Sequence, residues 1–227
     1  MGQARYPSLT AREVAELSSA RSSVCYVVLG AICKQFLATL GTTTFSRVKK
    51  IGGFSSAERI AEAIDEAKRD GNSLGGIVTV GATGVPMGLG EMLPYSERLD
   101  AQIAANIMGI PSVKGIAFGL GDKFGKIDGV KAHDKLKLRD GKIVYSTNKC
   151  GGIVCGISTG GDIIFDVTVK PVPTVKGVKT IDTLTRKITP QHYERADTCV
   201  VSNVGVIAEN ILAFVLTNQI LKQSSSL

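Results

Sequence analysis

Apolar positions along the chain recur at two spacings, one of three to four residues and one of two residues, and this mixture predicts both helices and strands. Helical spacing is clearest in residues 10–40, 56–70, 96–108 and 204–222. The runs GGIVTVGATG, SVKGIAFGLG, KIVYST and IIFDVTVK are rich in β-branched residues and predict strands. The pattern therefore indicates an α/β (α+β) protein.

Several helix ends carry recognisable signals. Thr10 followed by Glu13 is typical of a capping box, and Gly41 predicts the end of that segment, as one helix or as two in tandem. Gly71 predicts the end of the second helix. The order of strand, helix and strand between residues 75 and 121 is typical of a βαβ or split βαβ unit.

The longest apolar run covers residues 24–33. It has about half of the roughly 20 residues that a membrane-spanning helix needs, so we expect a buried helix and no membrane anchor. The first residues, MGQARYPSLTAREVAE, are polar and charged and do not resemble a signal peptide.

Composition narrows the function classes. The 227 residues, 44% of them hydrophobic, can bury one large core or two small ones. The net charge of +7 comes from scattered lysines and arginines, and only 5% of the residues are aromatic, which disfavours nucleic-acid binding and suits a small anionic substrate. Five cysteines without a Cys-x-x-Cys pair and two histidines make a metal site unlikely and indicate reduced thiols in a cytoplasmic protein.

Residues 147–174, TNKCGGIVCGISTGGDIIFDVTVKPVPT, form the most informative stretch. Their glycines would let the backbone approach a flat or phosphorylated ligand, and Lys170 would stand at the end of a strand beside that surface. The alternative is a hairpin with glycine turns and a solvated lysine, and this stretch alone favours the alternative.

Two other places allow a functional and a structural interpretation. Residues 19–23, SARSS, could present hydroxyls and a guanidinium to a ligand, or could be the polar start of a helix with Arg21 lying along the surface. Arg195 and Asp197 would point to the same side of an extended segment. They could form a phosphate clamp beside a general base, or a surface ion pair.

These segments together resemble the chorismate synthase family. The blocks that carry the resemblance are ELSSARSSVCYVVLGAI, TNKCGGIVCGISTG followed by KPVPT, and RADTCVVSNVGVIAEN, with NSLGG, GVPMGLGE and VKGI between them. The resemblance runs from about residue 16 to residue 221.

The resemblance implies a β-α-β sandwich fold, here incomplete, and a homotetramer. It also implies a 1,4-trans-elimination of phosphate from 5-enolpyruvylshikimate 3-phosphate with reduced FMN, and a flavin reductase as a possible partner. By matching position, Arg21, Lys170 and Arg195 would bind the substrate, and Asp197, with Arg195, would carry the catalysis. The residues that would line the flavin are Ser19, Asn148, Cys150 through its backbone, Lys170 and Thr174.

The sequence also departs from the family pattern. The family's Gly-Glu-Ser-His-Gly and Pro-Gly-His-Ala-Asp motifs, each with a catalytic histidine, are absent. We therefore expect a C-terminal portion of such an enzyme, with a poorly matched segment 1–15, one truncated domain 16–222 and a disordered tail 223–227. The alternative is a non-catalytic fragment that serves only in folding or oligomerisation.

Overall fold

The computed structural model describes residues 2–139, 141–182, 185–191, 193 and 197–224. The helices are α1 Gly2–Arg5, α2 Ala11–Leu17, α3 Ser23–Thr39, α4 Ala57–Asp70, α5 Leu99–Met108, α6 Gly129–Ala132 and α7 Val201–Ser224. Short 3-10 turns occupy Ala20–Ser22, Tyr95–Glu97 and Gly121–Lys126. The strands are β1 Thr43–Ile51, β2 Gly76–Thr83, β3 Val113–Phe118, β4 Leu136–Arg139, β5 Lys142–Tyr145, β6 Ile153–Val154, β7 Ile157–Ser158, β8 Ile163–Val169, β9 Lys179–Ile181 and β10 Ile188–Pro190.

Four strands form the central sheet in the order β1-β2-β8-β3, and all neighbours are antiparallel. Strands β2 and β3 consequently run parallel, with β8 between them and α5 connecting them along the chain. This is the split βαβ unit that the sequence predicts. The pairs β4/β5, β6/β7 and β9/β10 are separate hairpins. The mixed fold with antiparallel sheets confirms the predicted fold class.

The two faces of the sheet differ in chemistry, as strand alternation requires. Val78 and Val80 of β2 and Phe165 and Val167 of β8 are fully enclosed on one face, against α5 and α7. On the opposite face, Asp166 accepts hydrogen bonds from Thr79 Oγ1 and Lys49 Nζ at 2.6 and 2.5 Å. The hydrophobic core therefore lies between the sheet and a layer of helices.

The capping-box and glycine signals at two predicted helix ends are confirmed, whereas α7 begins before and ends after the predicted 204–222 and includes residues 223 and 224 of the tail expected to be disordered. Thr10 and Glu13 form the reciprocal capping box of α2, and the Ala20–Ser22 turn separates α2 from α3, so the segment is two helices in tandem. Gly71 ends α4 at φ +67°, a left-handed conformation that glycine adopts without strain. Helix α5 begins three residues later than the sequence predicts, because Tyr95–Glu97 forms a 3-10 turn first.

The prediction that residues 24–33 form a buried helix is wrong in its burial. In α3 only Ser23, Gly30 and Leu37 are buried, whereas Val24 and Ile32 are 61% and 63% exposed. The physical reason is that α3 packs on α7 along one narrow face, and nothing in the described part of the chain covers the opposite face. By length and composition alone the stretches Ala11–Thr39 and Val201–Ser224 could each cross a membrane, but the second is a core helix with more than half of its apolar window buried.

Candidate functional site

A cleft of about 740 Å³ lies beside the C-terminal end of α4 and the start of α7, which is a volume typical of small-molecule sites. Its lining residues come from β1, α4, the segment after β8 and the segment that enters α7: Ile51, Ile64, Lys68, Asn72, Thr174, Tyr193, Asp197, Thr198, Cys199 and Ser202. Two residues predicted from different sequence blocks, Thr174 and Asp197, thus share one cleft.

The turn after α4 holds both of these segments in place. The Ser73 side chain is buried, and its hydroxyl donates to the Val172 carbonyl at 2.6 Å. The Leu74 N–H donates to the Thr198 carbonyl at 2.8 Å. The cleft therefore depends on a turn that the sequence analysis did not assign a role, and its only signal was the NSLGG block of the family resemblance.

The cleft combines one apolar wall with both signs of charge. Ile51 and Ile64 supply the wall, while Lys68 and Asp197 are exposed charged groups at its edge. Burial raises the pKa of the Cys199 thiol above its ordinary value, so this thiol stays protonated at neutral pH and is a poor nucleophile. The protonated thiol therefore disfavours thiol chemistry in this cleft.

Ser19 and Arg21 lie in another place. Ser19 lines a separate cavity of about 480 Å³ between the α2–α3 junction, α5 and α7, which also includes Ser22 and Tyr26. The Ser19 hydroxyl accepts a hydrogen bond from the Arg21 N–H at 3.3 Å, and the Arg21 side chain is exposed. The structure brings Ser19 and Arg21 together but does not place them on the cleft that Thr174 and Asp197 line.

The loop with Asn148 and Cys150 is organised by a carboxylate that the sequence analysis missed. Asp134 Oδ1 accepts hydrogen bonds from Thr147 Oγ1 at 2.7 Å and from the Lys149 N–H at 2.6 Å, and Oδ2 accepts from the Cys150 N–H at 2.9 Å. The Cys150 N–H is thus already committed to Asp134. No sequence signal marked Asp134, because it stands in a charged segment that is typical of a solvated loop.

The paired glycines of this loop pack against the chain's own backbone. Gly151 and Gly152 have φ of +71° and +82°, and a Cβ added at Gly152 would lie 2.3 Å from the Asp162 carbonyl oxygen. A further turn at Cys155 and Gly156, both at positive φ, joins β6 to β7. These glycines therefore serve tight turns and backbone packing, as the structural alternative predicts.

Three further residues were predicted as site residues from the sequence: Asn148, Lys170 and Arg195. Asn148 Nδ2 donates to the Asp162 carbonyl at 2.7 Å. Lys170 follows β8 with an exposed side chain, and its N–H donates to the Ser112 carbonyl at 2.8 Å. Arg195 lies outside the described residues. Among the residues that the structure describes, no group of three His, Cys, Asp or Glu side chains could hold a metal ion.

Comparisons with known proteins indicate the family of this chain. The family model described as chorismate synthase matches residues 1–221. A chorismate synthase of Leifsonia xyli subsp. xyli is 37% identical, over 98% of this chain and 62% of that protein, and one of Caldanaerobacter subterraneus subsp. tengcongensis is 33% identical, over 98% and 64%. The chain thus spans slightly less than two thirds of the length of these curated relatives.

A solved structure shows that the likeness extends to the fold. The crystal structure of a chorismate synthase superposes with a TM-score of 0.84 at 28% identity, covering 98% of this chain and 69% of the other. The mixed fold with its antiparallel sheet is therefore shared with that protein. On the family model, the relatives and the fold together, this chain belongs to the chorismate synthase family.

Proposed function

We propose that this chain contributes to the anti-1,4-elimination of phosphate from 5-enolpyruvylshikimate 3-phosphate, which yields chorismate in the shikimate pathway, and that it binds reduced FMN. The observation that carries the proposal is the shared cleft of Thr174 and Asp197. These residues come from the two family blocks KPVPT and Arg-x-Asp, and the turn at Ser73 and Leu74 holds both blocks to one place. The chorismate synthase-like domain, truncated relative to the family, is proposed to be residues 16–222.

The residues of the cleft fit a flavin. Ile51 and Ile64 offer an apolar wall for a planar ring, and the Thr174 hydroxyl and the Lys68 ammonium are groups that can bind polar and phosphate oxygens. When bound, reduced FMN supplies electron density to an elimination that has no net redox change. The residues proposed to hold it are Ser19, Asn148, Cys150, Lys170 and Thr174; of these, Thr174 lines this cleft, whereas Ser19 lines the separate cavity at the α2–α3 junction.

The remaining assignments concern substrate and proton. The reaction breaks the C–O bond to phosphate, removes the C6 proton and forms a C=C bond in their place. Arg21, Lys170 and Arg195 are proposed to bind the phosphate and carboxylates of the substrate, because cations stabilise the charge that the leaving group gains. Asp197 is proposed to support removal of the C6 proton, with Arg195 beside it. We further propose a homotetramer in the cytoplasm, served by a flavin reductase.

A second candidate is a non-catalytic module that acts only in folding or oligomerisation. The observation in its favour is the uncovered apolar face of α3, since exposed patches of this kind mark interaction surfaces.

The experiment that separates the two candidates is an anaerobic assay with reduced FMN, in which chorismate and inorganic phosphate are measured together. We expect equal amounts of both products, and a rate about a hundredfold lower in Asp197→Asn, because a positioned acid or base typically contributes that much or more. Asp65→Asn, which changes an exposed carboxylate of α4, is the matched control and should keep the rate. Absence of product in a chain that still binds FMN would favour the non-catalytic module.

A further inference from the structure

Asp134 binds the loop at residues 147–152 through its side chain. It follows the short helix α6 and precedes β4, so it belongs to a segment well separated along the chain from that loop. Its two carboxylate oxygens accept three hydrogen bonds of 2.6 to 2.9 Å from Thr147, Lys149 and Cys150. Three successive or near-successive donors converge on one carboxylate, which is the arrangement that fixes the shape of a loop.

The other end of the same loop is held by backbone contacts. The Leu120 N–H donates to the Lys149 carbonyl at 2.8 Å, and the Ile164 N–H donates to the Gly151 carbonyl at 3.1 Å. Since these bonds join the loop to the ends of β3 and β8, the sheet fixes one side and Asp134 fixes the other. The segment between them carries Asn148 and Cys150, two of the residues that the family resemblance assigns to the flavin.

The ionisation of Asp134 agrees with this role. Partial burial opposes the charge, but the hydrogen bonds from the Lys149 and Cys150 N–H groups outweigh it, so the pKa of Asp134 lies below its ordinary value. Burial and the adjacent Asp134 carboxylate raise the pKa of the Cys150 thiol. The carboxylate is therefore charged at neutral pH, and the thiol beside it is protonated.

We propose that Asp134 is a positioning residue, which holds residues 147–150 in the conformation that allows Asn148 and Cys150 to contact FMN. This inference rests on the proposed function for the identity of the ligand. Asp134 itself does not touch the reacting atoms; it acts through the loop. The nearby Asp128 has a different task, since its carboxylate caps α6 by accepting from the Lys131 N–H at 2.9 Å.

The test compares the wild-type chain with Asp134→Asn and with Asp128→Asn as the matched control. Asparagine keeps the acceptor that faces Thr147 and Lys149 but places an NH₂ group against the Cys150 N–H. We expect amide hydrogen exchange at Cys150 to accelerate about tenfold or more in Asp134→Asn only, and FMN affinity to fall by about tenfold. Circular dichroism checks that both variants stay folded.

A chemical readout reports the same carboxylate independently. Loss of the charge at position 134 should lower the pKa of the Cys150 thiol, so alkylation of Cys150 by iodoacetamide should become several-fold faster, measured by peptide mass mapping against the exposed Cys25 as internal reference. Asp128→Asn should leave this rate unchanged.

The outcomes separate the inference from the proposed function. Unchanged amide exchange in Asp134→Asn, or faster exchange with unchanged FMN affinity, would overturn the positioning role while wild-type FMN binding still supported the function. A wild-type chain that binds no FMN would overturn the proposed function, and with it the ligand named in this inference.

Discussion

Helices α3 and α7 are the two longest of the described chain, and both are apolar on nearly all sides, yet the protein encloses only one of them. Helix α7 lies on β1 and β2 and buries twelve residues, whereas α3 packs on α7 and buries three. A helix that is hydrophobic all round normally lies in a core. Periodicity and hydrophobicity therefore indicate which helix surfaces avoid water, but they do not show which neighbouring element covers those surfaces.

The contact between α3 and α7 leaves no room for a side chain at position 30. A Cβ added at Gly30 of α3 would lie 2.3 Å from Asn210 Cβ and 2.5 Å from the Asn210 carbonyl oxygen of α7. The helices can approach this closely only because position 30 has no side chain. Beside it, Lys34 Nζ donates to Glu209 Oε1 at 2.5 Å, and Glu209 Oε2 accepts from Ser46 Oγ at 2.8 Å, which ties α3, α7 and β1 together.

Replacement of Gly30 is expected to have the largest effect, because α3 and α7 approach each other most closely at this position. Gly30→Val forces α3 away from Asn210 and should reduce the free energy of unfolding by about 3 kcal/mol or more, as overpacking at a backbone contact does. Ala31→Val, one residue along on the exposed side of α3, is the matched control and should cost less than about 1 kcal/mol. Urea denaturation gives both values, and equal losses would show that α3 does not pack on α7 through Gly30.

The same substitution made in α7 and in α3 tests the difference in burial between the two helices. Ile211→Ala in α7 removes a side chain that is 4% exposed and should cost about 2–5 kcal/mol, because a cavity remains. Ile32→Ala in α3 removes one that is 63% exposed and should change the free energy of unfolding by no more than about 0.5 kcal/mol. A loss at position 32 as large as that at position 211 would mean that the outer face of α3 is covered in solution.

Much of the fold could be predicted from the sequence, since local rules act on it directly. The capping box of Thr10 and the glycine stop at Gly71 depend on residues a few positions apart, and the β2 and β8 alternation reports one buried face. The exposure of α3 could not be predicted, because it depends on whether another described part of the chain covers that helix. The contacts of Asp134 could not be predicted either, because its hydrogen-bond partners lie far along the chain. The candidate site lies between these cases: family blocks marked Thr174 and Asp197, but only the structure shows that Ser73 holds one of their segments.

The ion pair between the two helices should have an intermediate effect. Glu209→Gln removes the charge that faces Lys34, and because both side chains are only partly exposed, we expect a loss of about 1–2 kcal/mol. Glu62→Gln in the exposed pair with Arg59 on α4 is the control and should cost less than about 0.5 kcal/mol. A double-mutant cycle with Lys34→Met checks whether the loss belongs to the pair, and a coupling near zero would contradict its role in joining the helices.

The smallest effect on stability is expected on the outer face of α3, where an introduced charge would be exposed to water. Val28→Lys should change the free energy of unfolding by about 0.5 kcal/mol or less, while it reduces self-association by interrupting the apolar patch. Light scattering at increasing protein concentration measures the association, and Val206→Lys on the exposed side of α7 is a control outside that helix. Association that is unaffected by Val28→Lys would place the contact between molecules elsewhere.

We propose above that the loops on this sheet and its helices form a site for FMN and 5-enolpyruvylshikimate 3-phosphate. A flavin fluorescence titration tests this binding directly. FMN would be titrated with the chain in the absence and in the presence of the substrate. We expect quenching of the flavin and an apparent Kd about tenfold lower with substrate, because two ligands of one site stabilise the same arrangement of loops. Flavin fluorescence that stays at the value of free FMN under both conditions would contradict the claim.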